Sequence, residues 1–168
     1  MTINDIHILY EFNYWAKTKM IGALDALPEQ DVYKDLKTSF GGIHGTLVHI
    51  CGAEDIWLQR FNVIPNPKFL KNADLPDYSA VKKRWDEVEN GMRTYVLALT
   101  EQQLQGKFSY TNIKGEPFSN IRWQALQHLV NHGTYHRGQI TSMIRQLGGT
   151  PVNTDLIAFY WQRAQQQL

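Results

Sequence analysis

Apolar residues recur at spacings of three and four along most of the chain, the period of helices with one buried face. Ile8 or Leu9, Phe12, Trp15 or Ala16, Met20, Ala23 and Leu27 predict a first helix over about residues 4–27, stopped by Pro28. A second helix begins after the glycine-rich stretch 39–45 and runs to about Phe61, with Ile43, Leu47, Ile50, Trp57 and Phe61 on one stripe. Thr46, His49, Ala53 and Ile56 widen that stripe, so this helix is buried on more than one side. Tyr78, Val81, Trp85, Val88, Met92, Tyr95 and Leu99 form the cleanest seam and predict a third helix.

Residues 107–119 change character. Phe108 and Tyr110 alternate with polar residues around a turn, which predicts a short β-hairpin or an extended crossover. A fourth helix runs from Ser119 or Asn120, either of which can cap it, to Leu147, where Gly148 and Gly149 end it. A last short helix starts near Thr154 and continues to the C-terminus. Four long helices with a hairpin-bearing crossover predict an all-α fold, a four-helix bundle with a C-terminal helix, as one domain over residues 1–168.

Composition narrows the function classes. Seventeen basic against sixteen acidic side chains give a net charge of +1, without the basic field of a nucleic-acid binder. No window reaches the length of a membrane span, and Asp5 and Glu11 interrupt the N-terminal apolar stretch that a signal peptide needs. The single cysteine, Cys51, excludes an internal disulfide and a cysteine-based zinc site. A cytoplasmic protein, with no nucleic-acid or membrane partner, is the expectation.

The six histidines carry the chemistry. Ala125, Leu129, His132, His136, Ile140, Met143 and Leu147 form one seam of the fourth helix, so His132 and His136 stand one turn apart at core positions. Buried imidazoles need partners. A divalent metal would satisfy both, and so would hydrogen bonds from a core pair to backbone, tyrosine or water. A metal needs a third ligand from elsewhere. His49, in the middle of the second helix, is the best candidate. His7 and His44 fit a central site less well, and His128 lies roughly 40° off the seam, at the rim. Gly133 follows His132, so the glutamate of the HExxH zinc-protease signature is missing.

Other residues are weaker signals. The stretch 39–45 reads as a closely packed helix start rather than an anion cradle, because it lacks the Lys-Ser/Thr pair of a phosphate loop. Cys51 lies about 200° around the helix from His49 and faces away from the site. Arg137, about 80° from the seam, is expected to face solvent or a dimer contact, with a substrate carboxylate at the pocket mouth as the sharper alternative. The five tryptophans are expected mostly in the core by spacing, with Trp161 at the cavity mouth.

These segments resemble the DinB-like superfamily, metal-binding four-helix bundles that share their core with YfiT-like proteins and thiol-dependent transferases. The resemblance covers nearly the whole chain. It rests on Trp15-Ala16, GTLVHICGAEDIWLQR at 45–60, NIKGEPF at 112–118, NHGTYHRGQI at 131–140 and LGGTP at 147–151. It implies an up-down-down-up bundle in which His49, His132 and His136 bind a divalent metal, zinc or nickel, and a homodimer. It also implies a metal-dependent enzyme, a thiol-dependent transferase or a hydrolase, acting on a small molecule or a low-molecular-weight thiol. The alternative is a non-catalytic, stress-related dimer that binds metal or ligand.

Overall fold

The computed structural model describes residues 1–112 and 114–166. Helix α1 (Ile3–Asp25) opens with a capping box: Thr2 Oγ1 accepts from the Asp5 N–H, and the Asp5 carboxylate accepts from the Thr2 N–H. It ends before Pro28, the residue that precedes a one-turn helix, α2 (Glu29–Val32). Helix α3 spans Ile43–Phe61 and α4 spans Tyr78–Leu97, the latter capped by Asp77 Oδ1 on the Ala80 N–H at 2.7 Å. A five-residue helix, α5 (Glu101–Gln105), leads into β1 (Lys107–Thr111) and β2 (Pro117–Ile121). Helices α6 (Arg122–Gln146) and α7 (Leu156–Gln165) complete the chain. The tip of the hairpin at Ile113 and the final two positions of the expected last helix, Gln167 and Leu168, lie outside the described residues.

The fourth long helix starts later than expected. Ser119 and Asn120 do not cap it, because both belong to β2, where Ser119 faces Ser109 and Asn120 faces Phe108. The Asn120 side chain accepts from the Tyr110 hydroxyl at 2.8 Å instead. Gln124, on the first turn, accepts from the Ile121 N–H. The short helices α2 and α5 are too brief to show a period in the sequence.

Cross-helix contacts fix the directions. Tyr10 and Asn13 of α1 meet Leu126 and Arg137 of α6 in the same order, so these helices are parallel. Glu54 and Leu58 of α3 meet Trp85 and Gly91 of α4 in the same order. By contrast, His7, Tyr14 and Asp25 of α1 meet Val96, Arg93 and Lys82 of α4 in reverse order. His49 and Trp57 of α3 likewise meet His132 and His128 of α6 in reverse. The four long helices are therefore an up-down-down-up bundle. Parallel α3 and α4 require a long crossover, which residues 62–77 supply.

Two apolar clusters fill the interior. One gathers Met20, Leu47, Ile50, Cys51, Val81, Trp85 and Ile140, and the other gathers Ile6, Phe12, Met92, Leu104, Leu126 and Leu129. The tryptophans depart from expectation: Trp85 alone is fully buried, Trp15, Trp57 and Trp123 are half-buried, and Trp161 is 61% exposed. Trp15 and Trp57 sit at edges of the bundle, one under Phe159 of α7 and the other under Tyr110 of the hairpin. Helix α7 docks on α1, where the Trp15 indole donates to Gln162 and Arg163 pairs with Glu11. Among the described residues, no helix is long and apolar enough to cross a membrane.

Candidate metal centre

His49 lies two turns inside α3, and His132 and His136 lie in the middle of α6. Because α3 and α6 are antiparallel neighbours, the three imidazoles meet in their seam. One ring nitrogen from each falls within 4.8 Å of the others. The His49 and His132 Nε2 atoms are 3.0 Å apart, and the His132 and His136 ring centroids are 4.4 Å apart.

The two residues of the α6 pair are not equally deep. His136 is buried and His132 is half-buried. Burial, followed by repulsion from His136, His49 and His128, pushes the pKa of His132 down to about 3. Burial and His136 also lower that of His49. Both rings are therefore neutral near pH 7, the form with a lone pair to give a metal.

Gln139 orients the third ring. Its Oε1 lies 2.7 Å from His136 Nδ1. An amide oxygen only accepts, so the proton sits on Nδ1 and the Nε2 lone pair is left for the cluster. The 3.0 Å between the His49 and His132 Nε2 atoms is near the roughly 3.3 Å that separates two nitrogens on one tetrahedral zinc ion. Without an ion, a single shared proton has to serve both atoms. His132 Nδ1, on the opposite side of the ring from the Nε2 that meets His49, is buried with no partner among the described residues. Three imidazoles, with no carboxylate in the cluster among the described residues, fit a borderline-soft divalent ion such as zinc or nickel.

Aromatic rings wall the site. Phe40 stacks on His49 at 4.1 Å and 18°. Phe69 lies 6.0 Å from the same ring, and Tyr135, 65% exposed, stands edge-on to His136 at 5.0 Å. Gly45 makes the Phe40 position accessible: a Cβ there would lie 2.0 Å from the Phe40 carbonyl oxygen. The stretch 39–45 is thus a closely packed helix start, as its composition predicts.

The remaining sequence candidates fall outside the cluster. His128 is exposed at the rim, 6.0 Å from His132 between ring centroids. His7 reaches toward the Val96 carbonyl, and His44 lies beside Tyr33. Cys51 is completely buried in the core, where burial pushes its thiol well above the usual range. Trp161 is exposed on α7, the helix that docks on α1.

Arg137 overturns its expected place. It is 1% exposed, facing neither solvent nor a pocket mouth. Its Nη1 donates to Asn13 Oδ1 and its Nη2 to Thr134 Oγ1, both at 2.8 Å. The physical reason is that α6 packs on α1 as well as on α3, so it has a second buried sector about 80° from the histidine seam. Gln139, Phe40, Phe69 and Tyr135 were not among the sequence candidates. Of these, Gln139 alone had a legible signal, its position three residues after His136 on one helix face.

The family model described as "DinB family" matches residues 2–167. The chain is 30% identical over 152 residues to Protein DinB of Bacillus subtilis (strain 168), covering 88% of each chain. It also resembles the crystal structure of a DinB-like protein from Bacillus cereus ATCC 10987, with a TM-score of 0.55 and 22% identity over 83% of this chain and 91% of that one. The histidine-bearing four-helix bundle described above is a member of the DinB family.

Proposed function

We propose that the protein is a metal-dependent enzyme, a thiol-dependent transferase or a hydrolase, with a zinc or nickel ion on His49, His132 and His136. The observation that carries the reading is the convergence of three imidazole nitrogens within 4.8 Å, two of them 3.0 Å apart. When bound, such an ion supplies Lewis acidity and lowers the pKa of a water or thiol that shares it. The protein's own part is to hold the three rings together, with Gln139 accepting from His136 Nδ1. Phe40 and Phe69 shield one flank, and the exposed Tyr135 marks the approach for a small molecule or low-molecular-weight thiol. No protein carboxylate belongs to the cluster among the described residues.

The test is elemental analysis of untagged protein beside His49→Ala and His132→Ala. Near-stoichiometric metal that is lost in both variants supports the reading. A wild type that is metal-free and refuses added zinc and nickel overturns it. Turnover is then sought across thiol-transfer and hydrolysis panels. Metal retention without turnover favours the second reading, a non-catalytic metal- or ligand-binding protein, which the lack of a carboxylate in the cluster among the described residues suits. Assembly as a cytoplasmic homodimer belongs to the same proposal. It is supported by the exposed apolar side chains of Ile157, Tyr160 and Trp161 on α7, and sedimentation velocity tests it.

A further inference from the structure

Arg60 lies three turns beyond His49 on α3, beyond the reach of the histidine cluster. Its guanidinium carbon sits 4.8 Å from the Trp57 ring centroid and 5.1 Å from that of Tyr110, against one side of a pair of neighbouring rings. That pair is held in place: Tyr110 donates its hydroxyl to Asn120 at 2.8 Å, and the Trp57 and Tyr110 rings are 4.8 Å apart. Arg60 has no carboxylate partner among the described residues, and its Nε is buried without an acceptor. Every other half-buried or buried arginine of the bundle core finds one or more acceptors: Arg84 has Asp55, Arg122 has Tyr95, and Arg137 has Asn13.

The guanidinium borders a cleft of about 600 Å³ between the α3–α4 loop and the hairpin. That volume lies in the range of small-molecule sites. Val63, Ile64 and Pro117 supply apolar walls, Ser109 adds a hydroxyl, and no acidic residue lines the cleft among the described residues. Val63 and Ile64 are 85% and 49% exposed, so the walls offer apolar surface that the fold itself leaves uncovered. A cation desolvated on one side, fixed by two rings and left without a counter-charge is complementary to an anion.

We propose that this cleft is a second binding site, taking a small molecule with an anionic head, a carboxylate or a phosphate, on Arg60 and a short apolar body against Val63 and Ile64. It is separated from the histidine cluster by Trp57 and His128, whose ring centroids are 5.8 Å apart. Occupancy of the cleft requires no metal, so its failure and failure of the metal reading are distinguishable.

The experiment titrates isotope-labelled full-length protein with hexanoate, hexyl phosphate and neutral hexanamide. The readouts are the Arg60 Nε–H and Trp57 indole N–H signals. At least one anion shifts both signals saturably, and the tighter of the two assigns the head group. Its affinity falls about tenfold or more in Arg60→Gln, and hexanamide binds the wild type weaker by a similar factor, as loss of a charged hydrogen-bond pair requires. Ser109→Glu, at an exposed strand position lining the cleft, supplies an internal carboxylate and weakens the same anion without touching the bundle. Anions that leave both signals unmoved, or that bind Arg60→Gln and Ser109→Glu as tightly as the wild type, overturn the proposal.

Discussion

Arg137 donates from Nη1 to Asn13 Oδ1 at 2.8 Å, although it directly follows His136 of the histidine cluster. Asn13 in turn donates from Nδ2 to Glu54 Oε1 at 3.0 Å, and the Trp85 indole donates to Glu54 Oε2 at 2.8 Å. One residue from each long helix thus joins a single buried polar chain: Asn13 on α1, Glu54 on α3, Trp85 on α4 and Arg137 on α6. Burial pulls the Arg137 pKa down to about 10, against the opposing pull of Glu54, so the guanidinium stays charged at neutral pH. The chain runs behind the histidine seam and ties the two helices that carry the ligands to the rest of the bundle.

Arg137→Met leaves Asn13 Oδ1 without its donor in the interior, and the expected loss of stability is about 1 to 3 kcal/mol, the range for a buried polar group left unsatisfied. Arg137→Met combined with Glu54→Gln removes both charges and is expected to cost clearly less than the sum of the single changes. Urea denaturation of the four proteins in a double-mutant cycle measures this. Additive effects would show that the relay through Asn13 carries no coupling.

Gly133 makes room for this chain. A Cβ there would lie 2.8 Å from Arg137 Nη1 and 3.2 Å from Asn13 Oδ1, whereas nothing lies within 4 Å of a Cβ at Gly138. Gly133→Ala is expected to destabilise by about 1 to 2 kcal/mol through displacement of the Arg137 hydrogen bond. Gly138→Ala, on the exposed face of the same helix, is expected to stabilise by about 0.5 to 1 kcal/mol. Thermal melts of the pair check the opposite signs.

Glu54 makes stability fall as pH rises. Burial raises its pKa from the ordinary 4.5, and the hydrogen bonds from Asn13 and Trp85 with the charges of Arg137 and Lys17 only partly offset this. The native state therefore holds the Glu54 proton at pH values where the unfolded chain has released it. Its contribution is full below pH 4.5 and is lost progressively from there up to the raised native value. Glu54→Gln removes that slope, whatever its effect on absolute stability. Denaturation midpoints from pH 4 upward, compared between wild type and variant, test it; identical slopes would contradict the assignment.

On the proposed metal reading, Gln139 acts through His136. Gln139→Leu leaves the three ligands in place but removes the acceptor for His136 Nδ1–H. Metal affinity is expected to fall about 10- to 100-fold, as for other partners that orient ligands. Competition with a chromophoric chelator reads it, with Gln139→Glu, which restores an acceptor, recovering affinity.

The sequence by itself determined what local forces decide. The spacing of apolar residues set the four long helices, Pro28 ended the first, and the seam through Leu129, His132, His136 and Ile140 put two imidazoles on an inward face. His49, named from its place in a broadly apolar helix, is the residue that meets them. Tertiary structure decided everything that depends on a second segment. Arg137 interrupts the apolar pattern because its partner Asn13 is 124 residues away, and no local period records such a pairing. Ser119 and Asn120 have the chemistry of helix caps but are taken by strand pairing with Ser109 and Phe108. Trp15 and Trp57 have core-like spacing yet stop at the bundle edge, where α7 and the hairpin cover them. Helical period reports which way a side chain points; which element stands opposite, and whether it offers an acceptor, a ring or water, is settled only when the helices pack.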